Sequence, residues 1–306
     1  MNEFKSVVFA GGGIRCFWET GFWDTASSGL SLKPDVVAGV SAGAAMAAMA
    51  MSGTHETGLR ILKDTIKTNR KNFYFSNLFR KEPAFPHFEM YRNALRGAID
   101  SAALKKIKEG PEIRVILAHP PRLLSAGTGI VMGFSAYVIE KYIKSPVHPR
   151  FVSKLGYTTT VVRLNDCTSP EELIDIIMCS SCLPPFIPLH RHNGRVTLDG
   201  GLTDNVPVSA IGKDSANGDM LVLLSMIYGE KNIPRVPGRV YVQPLSEPAL
   251  GKWDFTDPAA LQKSFDMGRR DGEAFVKQFS RKGSLSYRVS GSQGGQYISH
   301  MPAVSH

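Results

Sequence analysis

Two glycine-punctuated transitions within the first 51 residues constrain this chain more than any other feature. Ser6-Val7-Val8-Phe9-Ala10 is a short apolar run that ends abruptly in Gly11-Gly12-Gly13. Such a run, closed by a turn signal, reads as a buried strand followed by a tight turn. From Ile14 the apolar residues recur at helical spacing, through Phe17, Trp18 and Phe22, until Ser27 to Pro34 breaks the pattern. Asp35 to Val40 then reads as a second strand and Ser41 to Met51 as a helix of small residues. Strand, helix, strand, helix in immediate succession predicts parallel strands joined by crossovers, hence an α/β fold.

The rest of the chain extends that reading. Residues 54 to about 108 are mainly helical and basic, and form a helical insertion. Glu112 to Ala118 and Thr158 to Leu164 read as further strands. Ser169-Pro170-Glu171-Glu172 is a helix start, with a serine cap, proline at the first helical position and a glutamate placed for a capping box. Asn193-Gly194 predicts a hairpin turn leading into the short strand Arg195 to Leu198. Later strands are expected over 219–226 and 239–245, and a last helix over 259–280. The expected architecture is a three-layer α/β/α domain over 1–280 with a mostly parallel central sheet. A Gly/Ser-rich, mobile C-terminal tail is expected over 281–306.

Gly39-Val40-Ser41-Ala42-Gly43 matches G-x-S-x-G between a strand and a helix, the context that motif requires. The serine occupies a sharp turn, and Gly39 and Gly43 must be small because strand and helix nearly touch there. The helix N-terminus favours negative charge developing beside Ser41. Gly11, Gly12 and Gly13 lie after the first strand, where successive amides can form an anion nest. Parallel strands bring that nest and Ser41 to one sheet edge, as an oxyanion hole and its nucleophile require. Arg15 could hold the loop or attract a phosphate. Asp199-Gly200-Gly201 follows another strand, and its carboxylate could accept the serine proton. A dinucleotide-binding turn is disfavoured because its third glycine would fall at Cys16, and no G-K-[ST] follows for a P-loop.

Together these segments resemble the patatin-like phospholipase family, with Ser180 to Pro188 and Leu198 to Pro207 carrying further likeness. The resemblance implies hydrolysis of lipid carboxylic esters by a Ser–Asp dyad. Ser41 would be the nucleophile and Asp199 the base. Gly11, Gly12 and Gly13 would form the oxyanion region, with Arg15 supporting it. It implies no cofactor and no metal. Ala10 departs from the polar residue the family often places before the glycines, a difference that touches the loop but not its amides.

Two alternatives follow from the same residues. A Ser–His–Asp esterase needs a histidine after its acid, and only His300 and His306 follow Asp199; His190 and His192 precede it on a predicted turn. A lipid-binding protein without turnover would keep the fold alone. The formal charge of +9 suits an anionic membrane surface; no zinc finger or ribonucleoprotein motif points to nucleic acid. Basic residues (Arg60, Lys63, Lys67, Arg70, Lys71, Arg80, Lys81) alternate with Phe73, Tyr74, Phe75, Leu78 and Phe79, a pattern for docking on lipid or for a solvated helix with core aromatics. No span long enough for a bilayer and no Sec-type signal predict a cytoplasmic or peripheral membrane protein, with signal-independent secretion open. Cys16, Cys167, Cys179 and Cys182 read as buried thiols rather than a disulfide or zinc framework.

Overall fold

The computed structural model describes residues 4–80, 82–144, 146–149, 151–212, 218–281 and 297–299. Strand β1 (Phe4–Phe9) leads into α1 (Phe17–Gly29), and β2 (Val36–Gly39) into α2 (Ala42–Ser52). Four helices follow: α3 (His55–Ile66), α4 (Asn77–Arg80), α5 (His87–Ala98) and α6 (Ser101–Glu109). They form the expected insertion before β3 (Glu112–His119). Next come α7 (Ala126–Lys144), α8 (Phe151–Lys154), β4 (Thr158–Arg163) and α9 (Pro170–Ser180). The hairpin β5 (His190–His192) and β6 (Arg195–Thr197) precedes β7 (Asp219–Leu223), β8 (Arg239–Val242), α10 (Pro258–Arg281) and β9 (Tyr297–Ser299).

Among the described residues the main sheet runs β4-β3-β2-β1-β7-β8-β9. The five central strands are parallel, while β4 and β9 pair antiparallel at the edges. The chain starts in the middle, proceeds to one side through β2 and β3, then returns to the other side of β1 with β7. Strand order therefore reverses beside β1, and a crevice opens at such a point beyond the carboxyl ends of the strands.

Alternation along the strands sends side chains to two covered faces. Val7, Phe9, Val37, Ile113, Val115 and Leu221 meet α1, α2, α3, α5, α6, α9 and α10 in the larger core. Val8, Ala38, Ile116 and Val222 meet Val206, Ile211, Tyr228 and Ile233 on the opposite face. That second layer consists largely of short 3₁₀ turns, whereas α7 and α8 pack near the edge around Tyr157 and Leu202. The three-layer α/β/α expectation holds, with one layer thicker than the other.

Three local expectations need adjustment. The first helix opens with a 3₁₀ turn (Gly13–Cys16) before α1 becomes regular. Ser169 does cap α9, accepting from the Glu172 amide at 3.2 Å, but the Glu172 carboxylate reaches back to Thr168 rather than to the cap amide. The strand expected over Arg195 to Leu198 ends at Thr197: among the described residues β6 pairs with β5, and Leu198 touches the main sheet through a bridge to Ala118. His190 and His192 accordingly lie on a strand rather than in a turn. Of the mobile tail expected over 281–306, Arg281 ends α10 and Tyr297–Ser299 form β9, while the rest lies outside the described residues, as do Lys81, His300 and His306.

Candidate active site

Ser41 ends the turn between β2 and α2 with φ 53° and ψ −132°, a conformation seldom adopted by a residue with a side chain. Such a backbone costs about 1–3 kcal/mol and persists only where its surroundings impose it. Its neighbours do so by close approach. A Cβ on Gly39 would lie 2.7 Å from Ala44 Cα, and one on Gly43 would lie 2.3 Å from the Ala10 carbonyl oxygen. Gly39 and Gly43 therefore sit where any side chain would collide with backbone. Ser180, at the end of α9, fixes the turn from below. Its Oγ accepts from the Ser41 amide at 2.9 Å and donates to the Ile116 carbonyl at 2.8 Å.

Asp199 reaches Ser41 from the far side. Leu198 is tied to Ala118 of β3 in both directions, and the Asp199 amide donates to the Cys182 carbonyl at 2.7 Å. The next residue cannot carry a side chain, since a Cβ on Gly200 would lie 2.4 Å from the Ile116 carbonyl oxygen. Ser41 Oγ donates to Asp199 Oδ2 at 2.7 Å, and the Gly201 amide donates to Oδ1 at 2.7 Å. Both residues are only 4% exposed. Burial pushes the Asp199 carboxyl above its ordinary range, opposed by the Lys252 charge and the two hydrogen bonds.

The glycine loop closes the third side. Gly11 donates its amide to the Asn205 carbonyl at 2.9 Å, and its own carbonyl accepts from Asn205 Nδ2 and Ser225 Oγ. Gly11 is therefore an anchor, and its amide is already engaged. Among the described residues the amides of Gly12 and Gly13 donate to no protein acceptor. Gly13 adopts φ +61°, where the left-handed region favours glycine. Arg15 makes a long 3.5 Å contact to the Gly12 carbonyl and approaches the Met226 sulfur at 4.0 Å.

Two cavities flank the Ser41–Asp199 contact. One is narrow, about 40 Å³, and apolar: Ser41 opens onto Phe17, Met46, Leu62, Ile187 and Phe255. The other is wider, about 250 Å³, and mixed: Asp199, Arg15, Lys141, Lys252 and Asn205 share its wall with Phe134, Leu183 and Leu202. Trp253 lines both. Its ring stacks on Phe186 at 4.6 Å, and an aromatic ladder continues through Phe85, Phe73 and Phe75 to Phe79 with centroid steps of 4.9, 5.0, 6.4 and 5.4 Å. Phe75 and Phe79 are 63% and 78% exposed, so these aromatics face outward rather than into a core. Tyr74 instead turns inward, donating to Asn69 at 2.8 Å.

Lys141, Lys252 and Trp253 join the site without any motif announcing them, and Ser180 joins it from the segment whose likeness to the family named no role for it. No histidine among the described residues hydrogen-bonds Ser41 or Asp199. His87 lines the apolar cavity but bonds to the Trp253 carbonyl, and burial lowers its pKa. Cys179 and Cys182 are buried free thiols directed at backbone carbonyls. Among the described residues no helix is long and apolar enough to cross a membrane.

A mostly parallel sheet with a serine on a strained strand-to-helix turn at its carboxyl edge is the architecture of the nucleophile-elbow hydrolases. The family model described as Patatin-like phospholipase matches residues 7–211. The chain belongs to that family, which places it among lipid acyl hydrolases. Among solved structures it is similar to VipD from Legionella pneumophila, at 10% identity and a TM-score of 0.40, covering 90% of this chain and 67% of that one. No curated protein sequence matches.

Proposed function

We propose that the protein cleaves carboxylic ester bonds of membrane lipids through an acyl-enzyme on Ser41, with Asp199 as the sole general base. The 2.7 Å contact between Ser41 Oγ and Asp199 Oδ2, with no histidine between them, carries this reading. Asp199 takes the Ser41 proton as Oγ attacks the ester carbonyl carbon. The carbonyl oxygen gains the negative charge and is received by the Gly12 and Gly13 amides ahead of α1, with the N-terminal end of α2 adding its favourable field. Collapse of the tetrahedral species breaks the ester bond, and the departing alcohol oxygen takes the proton from Asp199. A water then yields its proton to Asp199 and attacks the acyl carbon. Release of the fatty acid returns a proton to Ser41.

An ordinary aspartate is too weak a base for this work at neutral pH. Burial raises the affinity of Asp199 for a proton, while the Lys252 charge and the hydrogen bonds from Ser41 and Gly201 oppose that rise. The apolar cavity suits the acyl chain, and the exposed end of the aromatic ladder suits contact with a bilayer beside it. The reading is tested by fatty-acid release from mixed phospholipid vesicles with EDTA present. Ser41→Ala and Asp199→Asn should each lose about 1,000-fold or more in kcat, and Ser41→Ala should no longer react with a fluorophosphonate probe. Activity surviving both substitutions would place the chemistry elsewhere.

A further inference from the structure

The wide cavity on the Asp199 side holds more positive charge than the dyad needs. Arg15, Lys141 and Lys252 line it, and among the described residues Asp199 is the only carboxylate in that lining. Arg15 Nη2 and Lys141 Nζ both lie within 4.0 Å of the Met226 sulfur, so two cationic heads converge on one point. Lys141 also rests over the Tyr228 ring at 4.6 Å, and Lys252 over Trp253 at 5.2 Å. Among the described residues neither Arg15 nor Lys252 forms an ion pair. Arg15 and Lys252, with Lys141 in the same wall, face a single carboxylate, so the lining carries net positive charge in a partly enclosed space.

We propose that this cavity is a headgroup subsite for a dianionic phosphomonoester, so that the enzyme prefers ester lipids ending in a free phosphate over zwitterionic ones. The proposal rests on the Ser41–Asp199 reading and adds a substrate class to it. A phosphate on the glycerol would meet the cations of the wide cavity while the acyl chain lies in the narrow one, with Trp253 between them. Arg15 supplies a planar fork for two phosphate oxygens, and the two lysines supply point charges. A monoester carrying close to two negative charges suits this positive lining better than a phosphodiester paired with choline.

The lysines register the crowding. Burial first, then Lys252 and Arg15, bring the Lys141 ammonium down to about 8. Burial also lowers the Lys252 ammonium, with Arg15 adding to the effect and Asp199 opposing it. A bound dianion would relieve both.

Isothermal titration of the Ser41→Ala protein separates binding from turnover. Its probes are short-chain lysophosphatidate and lysophosphatidylcholine of equal chain length below their micelle concentrations, and inorganic phosphate. Lysophosphatidate should bind at least tenfold more tightly than lysophosphatidylcholine. In the Lys141→Met/Lys252→Met background that ratio should fall toward one. Lys252→Arg should retain most of it, and Lys105→Met, on the far side of α6, should leave it intact. Melting curves establish that each variant is folded. In the active enzyme the same ratio should appear in kcat/KM.

Equal affinity for the two lipids, or a preference unmoved by the double substitution, overturns the proposal. Tight binding of inorganic phosphate lost in the double variant, without lipid discrimination, overturns it in favour of a free-anion site. Absence of turnover on every lipid tested would count against the dyad chemistry alone, because the binding ratio is read in a protein that does not turn over.

Discussion

Ser41 shows how a single residue can be held in a costly conformation by what cannot be placed beside it. Gly43→Ala would put a methyl 2.3 Å from the Ala10 carbonyl and 2.5 Å from that of Phe9. Both contacts are backbone, so relief requires moving β1 away from α2. We expect a loss of about 1–3 kcal/mol in stability and a disproportionate fall in kcat, measured by chemical denaturation alongside ester hydrolysis. A second residue-scale expectation concerns Glu19 on α1. It is fully buried, and neither carboxyl oxygen has a hydrogen-bond partner among the described residues. Burial raises its pKa well above the ordinary value, so the folded protein keeps the proton that the unfolded chain releases above roughly pH 4.3. The native state then binds more protons than the unfolded state, and stability declines as pH climbs from that point toward the folded pKa. Glu19→Gln removes the titration. Its Tm should exceed that of the wild type at pH 8 and converge with it near pH 4; identical melting at pH 8 would refute the assignment.

At the scale of elements, the parts legible in the sequence were those whose physics is local. The β1 and β2 runs, the glycine turns, the serine cap of α9 and the Asn193-Gly194 hairpin all depend on neighbouring residues. The helix α7 escaped notice because it is apolar around most of its circumference and carries little charge, leaving no amphipathic period to read. The partnership of β6 could not be read either, since three residues carry no signal for which sheet they will join. The orientation of the 73–79 aromatics lay between two readings that only tertiary packing separates. Their exposure yields an expectation for α4 and the loop before it. If Phe75 and Phe79 enter the lipid headgroup boundary, each contributes up to about 1.5–3 kcal/mol. Phe75→Ser/Phe79→Ser should then weaken vesicle sedimentation by tenfold or more while leaving hydrolysis of a soluble short-chain ester unaffected. Unchanged sedimentation would assign the patch another purpose.

For the whole molecule, the Ser41–Asp199 site is assembled from segments far apart in the chain: residues 11–15, 39–43, 180–182, 199–205 and 252–253. Motifs disclosed the first, second and fourth of these, and family likeness touched the third. Lys252 and Trp253 come from a connection between β8 and α10 whose composition announces nothing; only the return of strand order to the far side of β1 brings that connection over the site. The net charge of +9 acts at this scale as well. Association with anionic vesicles should weaken steeply as ionic strength rises from 0.1 to 1 M, where the screening length shrinks from about 10 to 3 Å. Association with neutral vesicles should change little. Equal salt dependence on both would mean that overall charge does not steer the encounter.

The position of Trp253 has an optical consequence. The other two tryptophans, Trp18 and Trp23, are 0% and 6% exposed within the core beneath α10, and their surroundings are fixed by packing. Trp253 alone among the three borders both cavities, so an acyl chain on one side or a charged group on the other alters the polarity around its indole. Ultraviolet excitation of the unlabelled protein therefore yields an emission spectrum with two constant contributions and one that follows occupancy. The fold has built a fluorescent gauge into the wall between the two cavities.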